Sequence, residues 1–430
     1  MSEWKTVQFL DYVNVNPKIS LDKNTVYPYV DMANTGINCR MPNGYANCKP
    51  KSGARFELGD TIVARIEPCL QNGKGFYCKD IKKGFGSTEF LVFRPLNEKK
   101  MDSLFLYYLM KMSYIREAMA NTMTGASGRQ RVNNDVFKSL DIYIPLDLGI
   151  QHKIATTLSH YDTLIENYQA QIKLLEETAQ RLYKEWFIDF HFPGYEKISM
   201  EFGVPKGWKK KQLADIIEFN PKYVVEKESE KRFFPMSALS TSSMILDFNE
   251  SAVVTSSAGT KFSNGDTLLA RITPCLENGK TAYVLGLGDN EVAVGSTEFI
   301  VMRSITLNSY MVYLLARSDN FRKTAINSMT GSDGRQRVQV DKLKLYSYLH
   351  PSQDIINAFA KAVQPSFKSA YKLSEQIDKL AEARDRLLPK LMRGEISVDS
   401  LCNIQEHAQS VGSGLEVRNG RTGSSQATDS

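Results

Sequence analysis

The sequence predicts an α+β protein in which two tandem-duplicated α/β domains alternate with two long helices. The helices are expected to pair as an antiparallel coiled coil, with the two halves related by a pseudo-twofold axis. Three observations carry this prediction. Four blocks of sequence recur in the same order about 206 residues apart, strand-like and helix-like patterns alternate within each copy, and heptad-spaced apolar residues follow each copy.

The repeat comes first. The sixteen residues 59–74 return as 265–280 with 12 identities, including Gly59-Asp60-Thr61 and Ala64-Arg65-Ile66 against Gly265-Asp266-Thr267 and Ala270-Arg271-Ile272. Gly86-Ser87-Thr88-Glu89-Phe90 returns as Gly295-Ser296-Thr297-Glu298-Phe299. Met123-Thr124-Gly125 with Gly128-Arg129-Gln130-Arg131-Val132 returns as Met329-Thr330-Gly331 with Gly334-Arg335-Gln336-Arg337-Val338. Trp4-Lys5 and Asn16-Pro17-Lys18 match Trp208-Lys209 and Asn220-Pro221-Lys222. The boundaries that follow are 1–148 and 200–350 for the domains, 149–192 and 351–398 for the helices, and 399–430 for a Ser-, Gly- and Asn-rich tail expected to be disordered.

Within each domain, 61–66 and 88–94 are short β-branched or apolar runs bounded by turn residues, hence strands. Residues 102–120 and 308–327 have the apolar spacing of amphipathic helices, and 140–145 and 343–351 read as closing strands. The first long helix places Ile154, Leu158, Ile165, Ile172, Leu175 and Leu182 on one stripe. The second repeats it with Phe359, Leu373, Ile377, Leu380 and Leu387, interrupted at Ser366 and Arg384. A helix with such a stripe needs a partner, and the other copy supplies one.

Composition narrows the function class. At 42% apolar and 24% charged the chain is globular, without an apolar run long enough for a membrane span or a signal peptide. Six unevenly spaced cysteines suggest a reducing, cytoplasmic setting rather than a disulfide scaffold. The net charge of +6 is carried by the domains: 20 Lys/Arg against 15 Asp/Glu in 1–148, and 19 against 16 in 200–350. Such a balance favours polyanionic partners. Catalytic patterns do not appear: the phosphate-loop spacing fails before Lys280, the histidines are scattered, and the cysteine spacings do not suit a metal. No catalytic or metal-binding residues are therefore assigned.

The Gly-Asp-x-x-x-Ala-Arg-Ile and Gly-Ser-Thr-Glu-Phe blocks, each followed by a heptad helix, resemble the DNA specificity subunit of a type I restriction–modification system. The Leu182-Tyr183-Lys184-Glu185-Trp186-Phe187 run and the Gly394-Glu395-Ile396 ending resemble the ends of that family's two helices. The resemblance implies a non-catalytic subunit whose two target recognition domains each read half of a bipartite sequence on double-stranded DNA. The helices would set the gap between the halves and dock two modification subunits and, in systems that cut DNA, two restriction subunits. S-adenosylmethionine, ATP and Mg would be used by those partners, with no cofactor in this chain. A rival expectation from a different class is a coiled-coil scaffold whose repeated domains bind proteins.

If the copies read different half-sites, residues shared by both grip phosphate or hold the fold, and unshared residues read bases. The shared cations beside glycine turns are Arg65, Lys74, Arg129 and Arg131, matched by Arg271, Lys280, Arg335 and Arg337, with Gln130 and Gln336 between the paired arginines. Their simplest alternative role is pairing to Glu89, Glu298, Asp60 or Asp266 inside the fold. The unshared candidates are Asn34, Asn38 and Arg40, facing Ser240, Thr241 and Ser242 at the same offset. Lys82 and Lys83 are further candidates, in a stretch expected to form a groove-entering hairpin.

Overall fold

The computed structural model describes residues 3–226, 228–241, 243–332 and 334–398. They form two units: one takes the chain up to Leu164 and again from Leu380, the other takes Ile165–Lys379. The predicted tail, 399–430, lies outside the described residues. The α-helices are α1 (Ser103–Leu109), α2 (Ser113–Asn121), α3 (Leu148–Phe187), α4 (Ser309–Arg317), α5 (Asp319–Asn327), α6 (Val340–Lys344) and α7 (Gln353–Met392).

The first unit contains two four-stranded sheets. One is antiparallel, in the order Val13–Val15, Phe90–Pro95, Thr61–Ala64, Gly75–Tyr77. The other runs Ala46–Cys48, Tyr27–Val30, Lys83–Gly86, Ala54–Glu57, with its middle pair parallel. A ribbon of Trp4–Gln8 and Asp141–Pro145 closes the domain. The second unit repeats both sheets and the ribbon: Ile217–Phe219, Phe299–Ser304, Thr267–Ala270, Thr281–Tyr283; then Ala252–Val254, Lys231–Phe234, Ala293–Gly295, Thr260–Phe262; and Lys209–Gln212 with Ser347–His350. The repeated Gly-Asp is a turn lock. Asp60 accepts the Glu57 amide at 2.7 Å and Asp266 the Ser263 amide at 2.9 Å, where each chain turns into its central strand.

Several local expectations need correction. The helices expected over 102–120 and 308–327 are each two helices, because Met112 and Ser318 adopt extended backbone between them. α1 and α4 are buried almost all round rather than along one stripe. The stretch carrying Lys82 and Lys83 is not a hairpin: Gly75–Tyr77 joins one sheet and Lys83–Gly86 the other, with Cys78 and Ile81 buried at the crossover. Residues 343–351 open as the end of α6 and become strand only at Ser347.

Each unit pairs the start of one long helix with the end of the other, antiparallel. In the first, Ile154 and Leu158 of α3 share a core with Leu388 and Leu391 of α7, with Leu387 packed beside them. In the second, the Tyr183, Trp186 and Phe187 rings of α3 pack on Phe359 of α7. Ile172 lies in that second core, with Leu175, Leu182, Leu373 and Ile377 against it; Ile165 is buried and Leu380 half-buried. Heptad counting placed Ser366 on the seam, but the fully buried residue is its neighbour Phe367, which packs against Tyr283, Tyr310 and Tyr313. Arg384, read as an interruption, is buried and paired with Asp162.

Candidate nucleic-acid interface

The repeated Met-Thr-Gly…Gly-Arg-Gln-Arg-Val segment folds as a short hairpin in both copies. Thr124 and Arg131 exchange backbone hydrogen bonds at 3.0 Å, and Val132 N donates to Arg65 O at 2.9 Å. Thr330 and Arg337 do the same at 3.0 and 2.9 Å, and Val338 N reaches Arg271 O at 2.8 Å. The hairpin is thereby stitched to the strand end that carries the repeated Arg-Ile. Gly128 and Gly334 sit at φ +75° and +76°, a conformation that L side chains rarely adopt, and nothing lies within 4 Å of the face a Cβ would occupy. Residues 124–129 are exposed, as are 330–332, 334 and 335 of the second copy, so each tip presents backbone and one cation, Arg129 or Arg335, to solvent.

The two arginines of each tip have different environments. Arg131 is held by Glu89 through Nε and Nη2 contacts of 2.7–3.0 Å, and Arg337 by Glu298 through contacts of 2.6–3.0 Å. These are forked, charge-assisted pairs, and Arg337 holds the Glu298 carboxyl below its ordinary range. Arg129 and Arg335 are exposed; among the described residues the Arg129 side chain has no ion pair or hydrogen bond. Gln130 and Gln336 are half-buried, and their carbonyls accept the Glu67 and Thr273 amides at 3.0 Å.

Arg65 donates to Val132 O at 3.0 Å, while its Nε is buried without a hydrogen-bond partner among the described residues. Arg271 Nε lies 3.9 Å from Glu298. In the first unit, Arg65 lines an open cleft of about 730 Å³ together with Lys18, Arg55, Ser20, Thr88 and Phe90. An aromatic floor with three cations and hydroxyls on its walls offers both phosphate and base-edge chemistry.

Other candidates turn inward. Lys74 Nζ donates to Met32 O, and Lys280 Nζ to Met236 O, each at 2.9 Å, so both lysines brace a loop. Arg40 is 3% exposed and reaches Ser159 and Thr163 of α3, the latter at 3.0 Å; it is a helix contact and not a base reader. Asn38, at φ +51°, takes Lys111 on its carbonyl at 3.2 Å and Arg116 on its side chain at 3.4 Å. Asn34 is half-buried, its amide bonded to Asp31 at 2.7 Å. Within the 34–40 loop, Arg40 thus seats the domain on α3, while Asn38 is tied to Lys111 and Arg116. The matching loop in the second unit buries Met244, Ile245 and Leu246, with Thr241 exposed and Ser240 accepting the Ser243 amide at 3.1 Å. Ser242 lies outside the described residues. Lys82 and Lys83 are exposed, Lys83 on a strand facing Glu57.

Asp60 and Asp266 are buried, and each anchors an arginine network. Arg94 forks onto Asp60 at 2.7 and 2.8 Å and also pairs with Glu57. Arg303 reaches Asp266 at 3.0 Å and stacks over Tyr223, whose hydroxyl donates to the same carboxylate. Burial pushes both carboxyls up against the pull of the guanidiniums. Among the described residues no group of His, Cys, Asp and Glu gathers as a metal site, and no helix is long and apolar enough to cross a membrane.

Comparison with known proteins shows what the chain is similar to. The family described as "Type I restriction modification DNA specificity domain" matches residues 1–177. The chain is 28% identical over 310 residues to the type I restriction enzyme MjaIX specificity subunit of Methanocaldococcus jannaschii, covering 70% of each. It is 39% identical over 143 residues to the EcoAI specificity subunit of Escherichia coli, covering 32% of this chain and 24% of that one. Its fold is similar to the crystal structure of a type I S subunit from M. genitalium, with a TM-score of 0.50 at 15% identity over 91% of this chain and 96% of that one. Residues 1–177 thus match the type I restriction modification DNA specificity domain, and the chain is similar to type I restriction enzyme specificity subunits.

Proposed function

We propose that the chain is the sequence-reading subunit of a type I restriction–modification complex. Each domain reads one half of a bipartite duplex target, and the paired helices set the spacing and dock the modification subunits. The observation that carries this reading is the duplicated hairpin: one chain builds the same exposed, glycine-tipped, cationic tip twice, on the same hydrogen-bond frame. A protein that must grip phosphate alike at two places while reading different bases has reason to keep that element constant. Chemistry on DNA belongs to the partners, which use S-adenosylmethionine and, where cutting occurs, ATP and Mg.

The test is co-expression with the modification subunits, followed by mapping of methylated adenines in host DNA. The expected result is one motif of two short words at a fixed gap. A continuous motif, or no methylation by an assembled complex, would refute the bipartite reading.

A further inference from the structure

The buried charges on the long helices form an unequal pair of sites. In the first unit, Asp162 of α3 is 2% exposed and Arg384 of α7 is 5% exposed, and Arg384 Nη1 pairs with Asp162 Oδ1. Tyr108 of α1 donates to the other oxygen of Asp162 at 2.5 Å, and Arg384 Nε donates to Asp385 at 2.9 Å. One carboxylate ties a domain to both helices.

The duplication shows what else fits there. α3 and α7 correspond at an offset of 205, from their starts at Leu148 and Gln353; α1 and α4 correspond at 206, from their capping residues Asp102 and Asn308. In the second unit the three matching positions hold Leu314, Phe367 and Ala179, each at most 1% exposed and all in one apolar cluster. Two copies of α3 paired in this register would set Asp162 against Ala179. Two copies of α7 would set Arg384 against Phe367. Either arrangement buries a charge without its partner, which a protein interior tolerates poorly. The second buried pair does not discriminate in this way. Glu176, 3% exposed, accepts Arg317 Nε at 2.9 Å, but the position matching Arg317 in the first unit is Lys111, also a cation.

We infer that Asp162 and Arg384 are a pairing key, which makes α3 accept α7 and reject a second copy of itself. The inference rests on helix packing alone and holds whatever the domains bind. The test uses full-length chains: wild type, Arg384→Ala, the apolar triple Tyr108→Leu/Asp162→Phe/Arg384→Ala, and the control Glu176→Ala/Arg317→Lys. Arg384→Ala should lower Tm by about 10 °C. The triple should regain most of that loss, while its dimer fraction in native mass spectrometry rises at least tenfold over wild type at equal concentration; the control should assemble as wild type does. A dimer that exchanges α3 with α7 is open to wild type too, so the comparison cancels it. A wild-type Tm for Arg384→Ala, or a folded triple with wild-type assembly, overturns the inference. If the triple does not fold, Asp162→Asn/Arg384→Gln, which leaves no charge to bury in either arrangement, runs the same comparison with the same two outcomes. Failure of both to fold also overturns it, since the key requires that an uncharged site can form.

Discussion

Replacing the exposed tip arginines, Arg129→Ala and Arg335→Ala, isolates the phosphate-gripping part of the proposed interface. Each tip carries two arginines, but Arg131 and Arg337 are already neutralised by forked pairs to Glu89 and Glu298, so each hairpin offers one available cation. A single phosphate contact contributes about −0.9 to the slope of log affinity against log salt. Across the fourfold step from 50 to 200 mM salt, losing one contact removes a factor of about 3.5 from the fall in affinity, and losing both removes about 12. The assay is fluorescence anisotropy on a duplex lacking the target, titrated with NaCl, with Tm measured alongside to show that the fold is intact. The single variants should each flatten the slope by about 0.9 and the double variant by about 1.8. An unchanged slope in a stably folded double variant would refute the assignment of the tips to phosphate.

Three further outcomes follow from local geometry. Arg40→Ala should lower Tm by roughly 4–10 °C, reflecting about 1.5–3 kcal/mol of buried charge-assisted hydrogen bonding, and leave the methylated motif unchanged; a changed motif would return Arg40 to the reading surface. Gly259→Ala should cost roughly 3 kcal/mol or more in chemical denaturation, because the new Cβ would stand 2.3 Å from Gly295 O, a backbone atom that cannot turn aside. The Glu298–Arg337 pair should act only above the ordinary glutamate value of 4.5: Arg337 lowers the folded carboxyl, so its stabilisation is complete above that value and is lost as pH falls through the depressed one. The Tm gap between wild type and Arg337→Ala should be full above that ordinary value and narrow as pH falls through the depressed one; a gap that does not change as the carboxyl takes up its proton contradicts the pairing.

The repeat and its strands were legible because glycine turns and β-branched runs are local signals, and the duplication doubled them. The pairing of Arg131 with Glu89 was within reach of sequence because both blocks recur together. The seat of the domains was not. A three–four spacing cannot separate Ser366 from Phe367, which differ by one residue on a helix whose neighbours are unknown. Arg384 looked like a defect because its partner Asp162 lies 222 residues away. The 34–40 loop looked like a reading loop because Asn, Thr and Arg suit base edges and the α3 surface equally well. A fixed offset does not align the two loops: Arg40 and Met244 are the true equivalents, each offering its carbonyl to a tyrosine amide, Tyr77 or Tyr283, at 2.8 Å.

That shift changes which differences between the copies bear on specificity. Residues that touch the helices diverge because the two seats diverge: Arg40 meets hydroxyls on α3, whereas Met244 enters an apolar cluster with Phe367. Residues that touch only backbone stay constant, as Lys74 and Lys280 do. What remains for base selection are positions that differ between copies yet contact neither helix. Five residues lining the cleft beside Arg65 differ: Ile19, Ser20, Ser52, Ala54 and Arg55, against Tyr223, Val224, Ala258, Thr260 and Lys261 in the second copy. The two loops start alike, because Asn16 and Asn220 take the Val92 and Val301 amides at 3.0 and 2.9 Å, and then part. Arg55 donates to Ile19 O at 2.9 Å, tying two of them together. Arg55→Ala should therefore relax one base position in a single half of the motif, at about 1–3 kcal/mol of discrimination, and leave the other half intact. Methylation mapping of that variant decides it: an unaltered motif would move base reading off this cleft and onto the exposed crossover that carries Lys82 and Lys83.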